Sequence, residues 1–139
     1  MPNTLPVYSE GAPTNGVDEI QTVTVTGSPT GGTFRLGIRG GVTSALNHNA
    51  NAATVQGALG ALLGIGTGNV SCSGTLAGGM TVTFINTRGK MPMLLLALRA
   101  NNLTGGTSPD VTIERTTPGV SATGRGSIPG RLLSDGMNG

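Results

Sequence analysis

One stretch with helical periodicity, set between segments that alternate like strands, constrains this chain most. Residues 51–64 read NAATVQGALGALLG, and their apolar positions recur every three or four residues, as on one face of a helix. The predicted helix covers about residues 51–63, with Asn51 as its N-cap and Gly64 as a left-handed residue that ends it. Because the two glycines inside it each cost roughly 1 kcal/mol relative to alanine, the helix needs a partner that packs on its apolar stripe. That stripe consists of Val55, Ala58, Leu59, Leu62 and Leu63.

Two alternating segments before the helix predict strands. Residues 18–26 place Val23 and Val25 on one face and threonines on the other, and residues 33–39 alternate in the same way. The turn between them, GSPTGG, predicts that the two strands form a β-hairpin with a longer loop. The inward residues of the second strand are Phe34, Leu36 and Ile38, its outward residues are Arg35 and Arg39, and a short third strand is predicted at Val42, Ser44 and Leu46.

The segments after the helix predict more strands. A second hairpin joins residues 69–73 to residues 80–85, with Val70, Cys72, Met80, Val82 and Phe84 facing inward. Residues 92–100 form a continuous apolar run that fits a strand buried on both faces, although a helix is possible because periodicity does not separate the two. Residues 101–109 are expected to form a polar loop, and residues 110–116 the last strand, with Val111 and Ile113 inward.

These elements predict an α+β fold in which a single helix packs on a mostly antiparallel β-sheet or sandwich. The β-rich domain is expected at residues 18–118. Residues 1–17 and 119–139 are rich in Pro and Gly without a period, and we expect them to be extended N- and C-terminal arms. Apolar side chains in the arms are the candidate partner-binding residues: Leu5, Val7, Tyr8, Ile128, Leu132 and Leu133.

Composition excludes several classes of function. The net charge of +2 is too small, and the basic residues too scattered, to predict nucleic-acid binding. The apolar run near residue 94 is too short to cross a bilayer, and the N-terminus lacks the pattern of a signal peptide, so we expect synthesis in a host cytoplasm and no membrane partner. With aromatic residues at only 2%, the core must be thin and aliphatic, and few rings are left to stack on a sugar.

The sequence predicts no catalytic residue, cofactor site or metal site. Its single cysteine, Cys72, alternates with Val70 toward the core, which favours a small buried hydrophobe over a nucleophile. Its single histidine, His48, lies in an asparagine-rich turn, whereas a zinc site needs several ligands at fixed spacing. The glycine run at residues 64–68 follows a helix and precedes a strand, the reverse of a dinucleotide-binding loop. We therefore expect an interaction protein and not an enzyme.

Several blocks resemble a small domain found in virion proteins of tailed phages, especially phages of actinobacteria. The opening residues 18–27 and 29–34 are similar to a VQTVTVTG-PTGGTF pattern, and residues 51–70 are similar to that domain's helix segment, NASAATVQAALEAL--IGAGNVTV. Residues 81–84 and 103–107 match its later strand and loop. The resemblance covers about residues 18–119. The chain departs from it at Arg35 and Arg39, where acidic or amide residues are usual.

The resemblance implies a structural role in a virion, on the head or the tail. With one domain copy that starts at Met1 and carries an arm at each end, the chain is most similar to a capsid decoration (cement) protein. The implied partner is the major capsid protein at the outer capsid surface, where an arm would add a strand to an exposed sheet edge. We expect a homo-oligomer, and among oligomers a trimer, because it would match the symmetry axes of the capsid shell. Two alternatives stay open: a tail tube, tip or fibre component, and a glycan-binding adhesion module.

Overall fold

Eight strands and one α-helix make up the described part of the chain. The structure, a computed structural model, describes residues 15–122, and the six candidate arm residues lie outside this range. The elements, in chain order, are β1 (Ile20–Thr26), β2 (Gly31–Ile38), β3 (Gly41–Val42), β4 (Leu46–Asn47), α1 (Ala52–Gly60), β5 (Val70–Ser73), β6 (Met80–Phe84), β7 (Ala97–Thr104) and β8 (Asp110–Thr117). A short 3-10 helix covers Asn86–Arg88. The predicted α+β class, with mostly antiparallel strands and a single helix, is confirmed.

The strands form two sheets with antiparallel pairing. One sheet has the order β5-β6-β1-β8. In the other, β2 pairs with β7 along one edge and with β3 and β4 along the opposite edge. The prediction that the first two strands form a hairpin is wrong, because β1 pairs with β6 and β8 whereas β2 belongs to the second sheet. The glycine-rich turn therefore carries the chain from one sheet to the other.

The core lies between the two sheets and is closed by the helix. The predicted inward residues of β1, β2 and β6 are buried, and they share one apolar cluster with helix residues Val55 and Leu59. Ile113 and Cys72 are only half-buried at its edge. The second predicted hairpin, between β5 and β6, is confirmed by the register that pairs Val70 with Phe84.

The helix begins as predicted and ends early. Asn51 caps it, because its side-chain oxygen accepts a 2.8 Å hydrogen bond from the Thr54 N–H. The helix ends at Gly60, with Ala61 as its C-cap, so the prediction that Gly64 ends it is wrong. The chain then turns, and Ile65 becomes fully buried while Leu63 is left 97% exposed. Leu63 is thus not part of the buried stripe.

Three further predictions need correction. Val42 and Ser44 are exposed and Thr43 is buried instead, because the Thr43 hydroxyl accepts a hydrogen bond from the Leu36 N–H in the gap between β3 and β4. The apolar run 92–100 is not a strand buried on both faces, since residues 92–96 pair with no strand and β7 begins at Ala97. Strand β7 continues to Thr104, which shortens the predicted loop 101–109 to residues 105–109.

Candidate interaction surface

A buried carboxylate organises one end of the first sheet. Glu19 and Gln21 precede and enter β1, in phase with Val23 and Val25, and both side chains are fully buried on the inner face. Arg115 reaches the same point from β8, which pairs with β1. We call Glu19, Gln21 and Arg115 the Glu19 cluster.

The Glu19 carboxylate accepts four hydrogen bonds. Its Oε1 accepts from the main-chain N–H of Met93 at 3.0 Å and of Gly119 at 3.1 Å. Its Oε2 accepts from Gln21 Nε2 at 2.6 Å and from Arg115 Nε at 2.9 Å. Burial of the carboxylate raises its pKa, but these four hydrogen bonds outweigh that effect, and the pKa of Glu19 lies below its usual range. The buried charge is therefore compensated and remains ionised at neutral pH.

The cluster holds the segment of residues 91–96 in place of a strand partner. Gln21 donates to the Leu94 carbonyl at 2.8 Å and accepts from the Leu96 N–H at 2.9 Å. Arg115 Nη2 donates to the Met93 carbonyl at 2.7 Å. Side chains thus satisfy main-chain groups that a sheet would otherwise have to pair. The segment buries Met93 and Leu96 and turns two leucines outward.

Four exposed apolar side chains lie in the segments next to this cluster. Leu94 is 51% and Leu95 is 42% exposed, although both lie in a segment that is fixed on its inner side. Val17 and Val120 form an isolated antiparallel bridge, with N–O distances of 2.8 and 2.9 Å, and are 43% and 46% exposed. Because Met93 and Gly119 donate to the same Glu19 oxygen, the leucine segment lies beside this bridge. We call Val17, Leu94, Leu95 and Val120 the apolar face.

The residues weighed for chemistry lie apart from this face. Cys72 is half-buried on β5, and burial raises the pKa of its thiol to about 12, so the thiol stays protonated at neutral pH. His48 lies in the turn before α1 and lines a cavity of about 630 Å³ together with Thr24, Asn49 and Thr75, and this lining contains no Phe, Tyr or Trp. No group of three or more His, Cys, Asp or Glu side chains suited to a metal ion occurs within residues 15–122. No helix in this same range is both long and apolar enough to cross a membrane.

Sequence reasoning missed the apolar face and the cluster behind it. The signal for the cluster was present: Glu19 and Gln21 continue the two-residue period of Val23 and Val25, which predicts that polar groups are carried into the core. Nothing local in the sequence showed that residues 91–96 would be their partner. The predicted arm residues lie outside the described range, so their role stays a prediction.

Comparison with known proteins gives one informative similarity. No protein-family model matches the chain. Over 105 residues the chain is 35% identical to the tail sheath protein of Mycobacterium phage Bxz1, a match that covers 76% of this chain and 17% of the sheath protein. The chain thus spans less than a fifth of the length of that relative. The match supports the coarser expectation from the sequence, namely that this chain is similar to a structural protein of tailed-phage virions.

Proposed function

We propose that this chain is a structural component of a phage tail, which binds assembled tail subunits through its apolar face and catalyses no reaction. The observation that carries the proposal is the similarity to a tail sheath protein, which favours the tail over the capsid surface. The position of the apolar face supports it, since both terminal segments leave the described domain at the Val17–Val120 bridge. A partner that covers this face therefore also meets the segments that carry the predicted partner-binding residues.

The physical basis of binding is apolar burial on a prearranged surface. Full burial of a valine or leucine side chain contributes about 1.5–3 kcal/mol, so the half-exposed side chains of the face supply a modest affinity for each copy. Because the Glu19 cluster already fixes Leu94 and Leu95, little conformational entropy is lost when a partner covers them. Many copies on a repeating assembly would add up to strong attachment.

Free sheet edges offer a second mode of contact. Within the described residues, β8 pairs only with β1 and β7 pairs only with β2, so each has one unpaired edge. An extended segment can add to such an edge through main-chain hydrogen bonds. The predicted arm residues Leu5, Val7 and Tyr8, or Ile128, Leu132 and Leu133, would then anchor the added strand, at an entropic cost for ordering it.

Capsid decoration is the second candidate, supported by the sequence blocks at residues 18–34 and 51–70 that resemble head and tail proteins alike. In that case the partner is the major capsid protein at the outer capsid surface, and a trimer would match the shell axes. A glycan-binding module is disfavoured, because the lining of the cavity at His48 holds no Phe, Tyr or Trp side chain that could stack on a sugar.

Localisation on intact particles tests the proposal. Purified virions of the encoding phage should be separated into heads and tails, with the protein located by mass spectrometry and by cryo-electron microscopy. Density on tails is the expected result. Density only on heads would favour capsid decoration, and absence from virions would reject both.

The apolar face itself is tested with the double variant Leu94→Ser/Leu95→Ser. It should fold normally, because both side chains project outward. It should bind at least about ten-fold more weakly to virions from which the native protein has been removed, as the loss of two apolar contacts implies. Val42→Ser is the matched control, since Val42 is 45% exposed on the other sheet. Equal loss of binding in both variants would contradict the assignment of this face.

A further inference from the structure

A groove with basic and apolar sides is formed by residues that do not belong to the apolar face. It has a volume of about 540 Å³ and is lined by the turn between β2 and β3, by residues 63–64 after the helix and by Arg88. Arg88 is held there because its Nε donates to the Ile65 carbonyl at 3.3 Å. Arg39 also lines the groove, beside the point where a side chain on Gly64 would begin. The groove is thus built from three separate stretches of chain.

Two arginines, Arg39 and Arg88, line the groove, and neither forms an ion pair with a carboxylate within the described residues. Arg99 extends its charge, since Arg99 Nη2 donates to the Arg39 carbonyl at 2.9 Å. The one ion pair found within residues 15–122 joins Arg115 to Glu19, and neither residue lines the groove. Leu63, 97% exposed, stands at the groove beside these arginines. A complementary ligand therefore carries a carboxylate together with an apolar or aromatic group.

The N-terminal segment of this chain has that chemistry. Among residues 1–14, Glu10 is the single charged side chain, and Tyr8 is its near neighbour. In an extended segment, which Pro6 and Pro13 favour, residues two apart lie on the same side. The Tyr8 ring and the Glu10 carboxylate can then face the groove together, the ring against Leu63 or a guanidinium and the carboxylate against Arg39. The C-terminal segment fits less well, because residues 123–139 contain Arg125 and Arg131 against Asp135 alone.

The distance to be spanned is short. A side chain on Gly16 would begin 2.9 Å from Lys90 Cβ, so the described chain starts next to Lys90, two residues from Arg88. Six residues from Gly16 back to Glu10 reach at most about 20 Å when extended. We propose that, in the free protein, residues 5–10 of the same chain occupy this groove, with Glu10 at the arginines and Tyr8 against Leu63. This docking rests on the groove and on the residues of the segment alone, and it does not depend on the proposed function.

The experiment uses Tyr8 as its own probe, because the chain contains one tyrosine and no tryptophan. Acrylamide quenching of tyrosine fluorescence in the full-length protein reports on the exposure of this one ring. The quenching constant is expected to lie well below that of a synthetic peptide of residues 1–14. Glu10→Gln, which changes no described residue, should shift the docking equilibrium about two- to five-fold toward the free segment, as should Arg39→Gln. Raising the ionic strength to about 1 M should act in the same direction.

Two matched controls and a charge reversal sharpen the test. Arg35→Gln removes an arginine from β2, four positions before Arg39 and outside the groove lining, and should leave quenching unchanged. Arg39→Glu should expose Tyr8, and Glu10→Arg in that background should protect it again. Quenching equal to that of the peptide, or equal effects of Arg35→Gln and Arg39→Gln, would overturn the proposal. Protection that disappears on dilution would assign the groove to the segment of a second copy instead, which also contradicts docking within one chain.

Discussion

At the scale of the residue, Glu19 shows how one polar side chain can define a surface made of apolar ones. Its carboxylate is buried, yet every hydrogen bond it accepts comes from a different part of the chain: β1, β8, residue 93 and residue 119. The interaction of a buried charge with four donors is worth more than its desolvation costs, as the lowered pKa of Glu19 indicates. Leu94 and Leu95 are exposed because the main chain beside them is fixed by this group.

Replacement of Glu19 tests this interpretation. Glu19→Gln places an amide NH2 group against N–H donors and removes the partner of Arg115, so we expect a loss of about 2–4 kcal/mol in the free energy of unfolding at pH 7. Chemical denaturation measures it. Glu114→Gln, an exposed acid on β8, should change stability by no more than about 0.5 kcal/mol.

The same variant has a predicted pH dependence. Because the folded-state pKa of Glu19 is lowered from its ordinary value of 4.5, the stability it contributes is fully present above that value. This contribution to stability is lost as pH falls from the ordinary pKa of a glutamate through the lowered pKa of Glu19 in the folded protein. The difference in stability between wild type and Glu19→Gln should therefore shrink as the solution is acidified below about pH 4.5. A difference that stays constant with pH would show that the carboxylate charge is not what holds the segment.

At the scale of the element, the sequence predicts faces better than it predicts partners. Alternation in β1 and β2 correctly places Val23 and Phe34 inside, because a two-residue period fixes which side of a strand is buried. It does not fix which strand lies alongside, and β1 and β2, adjacent in sequence, lie in different sheets. The pairing depends on contacts between distant residues, such as Val23 with Ile113.

The apolar run near residue 94 shows the same limit in another form. Its composition predicts a strand with neighbours on both sides, but the main-chain groups of Met93, Leu94 and Leu96 are satisfied by side chains of the Glu19 cluster. A period cannot reveal such bonding, because it depends on residues more than seventy positions away. The candidate site was missed for this reason, whereas the helix N-cap, which depends on neighbours, was found.

Two glycines differ in whether the fold requires them: Gly57 lies in an exposed helix position, and Gly119 lies where two segments approach closely. Gly57 lies on the exposed side of α1 with nothing within 4 Å of an added Cβ, so Gly57→Ala should stabilise the protein by about 0.5–1 kcal/mol. Gly119 is buried, and a Cβ there would overlap the Met91 carbonyl oxygen, so Gly119→Ala must push the 91–96 segment away from Glu19. Thermal unfolding should show opposite signs for the two variants. A stabilising Gly119→Ala would mean that this close approach is not required.

At the scale of the whole molecule, the two ends of the described chain complete the candidate surface. The domain boundaries predicted from the sequence, residues 18 and 118, fall one and two positions inside the Val17–Val120 bridge and leave out the Gly119 N–H that donates to Glu19. Composition does not reveal this, because Val17, Gly119 and Val120 are surrounded by residues typical of loops. The hydrogen-bonded unit thus includes Val17, Gly119 and Val120, and the predicted domain boundaries stay a prediction.

A comparison of two truncated chains tests which boundary is physical. A chain of residues 15–122 retains every hydrogen bond of the Glu19 cluster and the bridge, so its thermal unfolding midpoint should lie within a few degrees of that of the full-length protein. A chain of residues 18–118 loses the bridge and places a terminal carboxylate beside Glu19. Loss of a hydrogen bond to a charged group costs about 1.5–3 kcal/mol, and each kcal/mol lowers the midpoint of a domain of this size by about 4–8 °C.

Amidation of the C-terminus of the shorter chain should recover part of the loss, since it removes the charge that repels Glu19. If both truncated chains unfold at the same temperature, the ends of the domain contribute nothing to the surface, and the Val17–Val120 bridge is incidental to it.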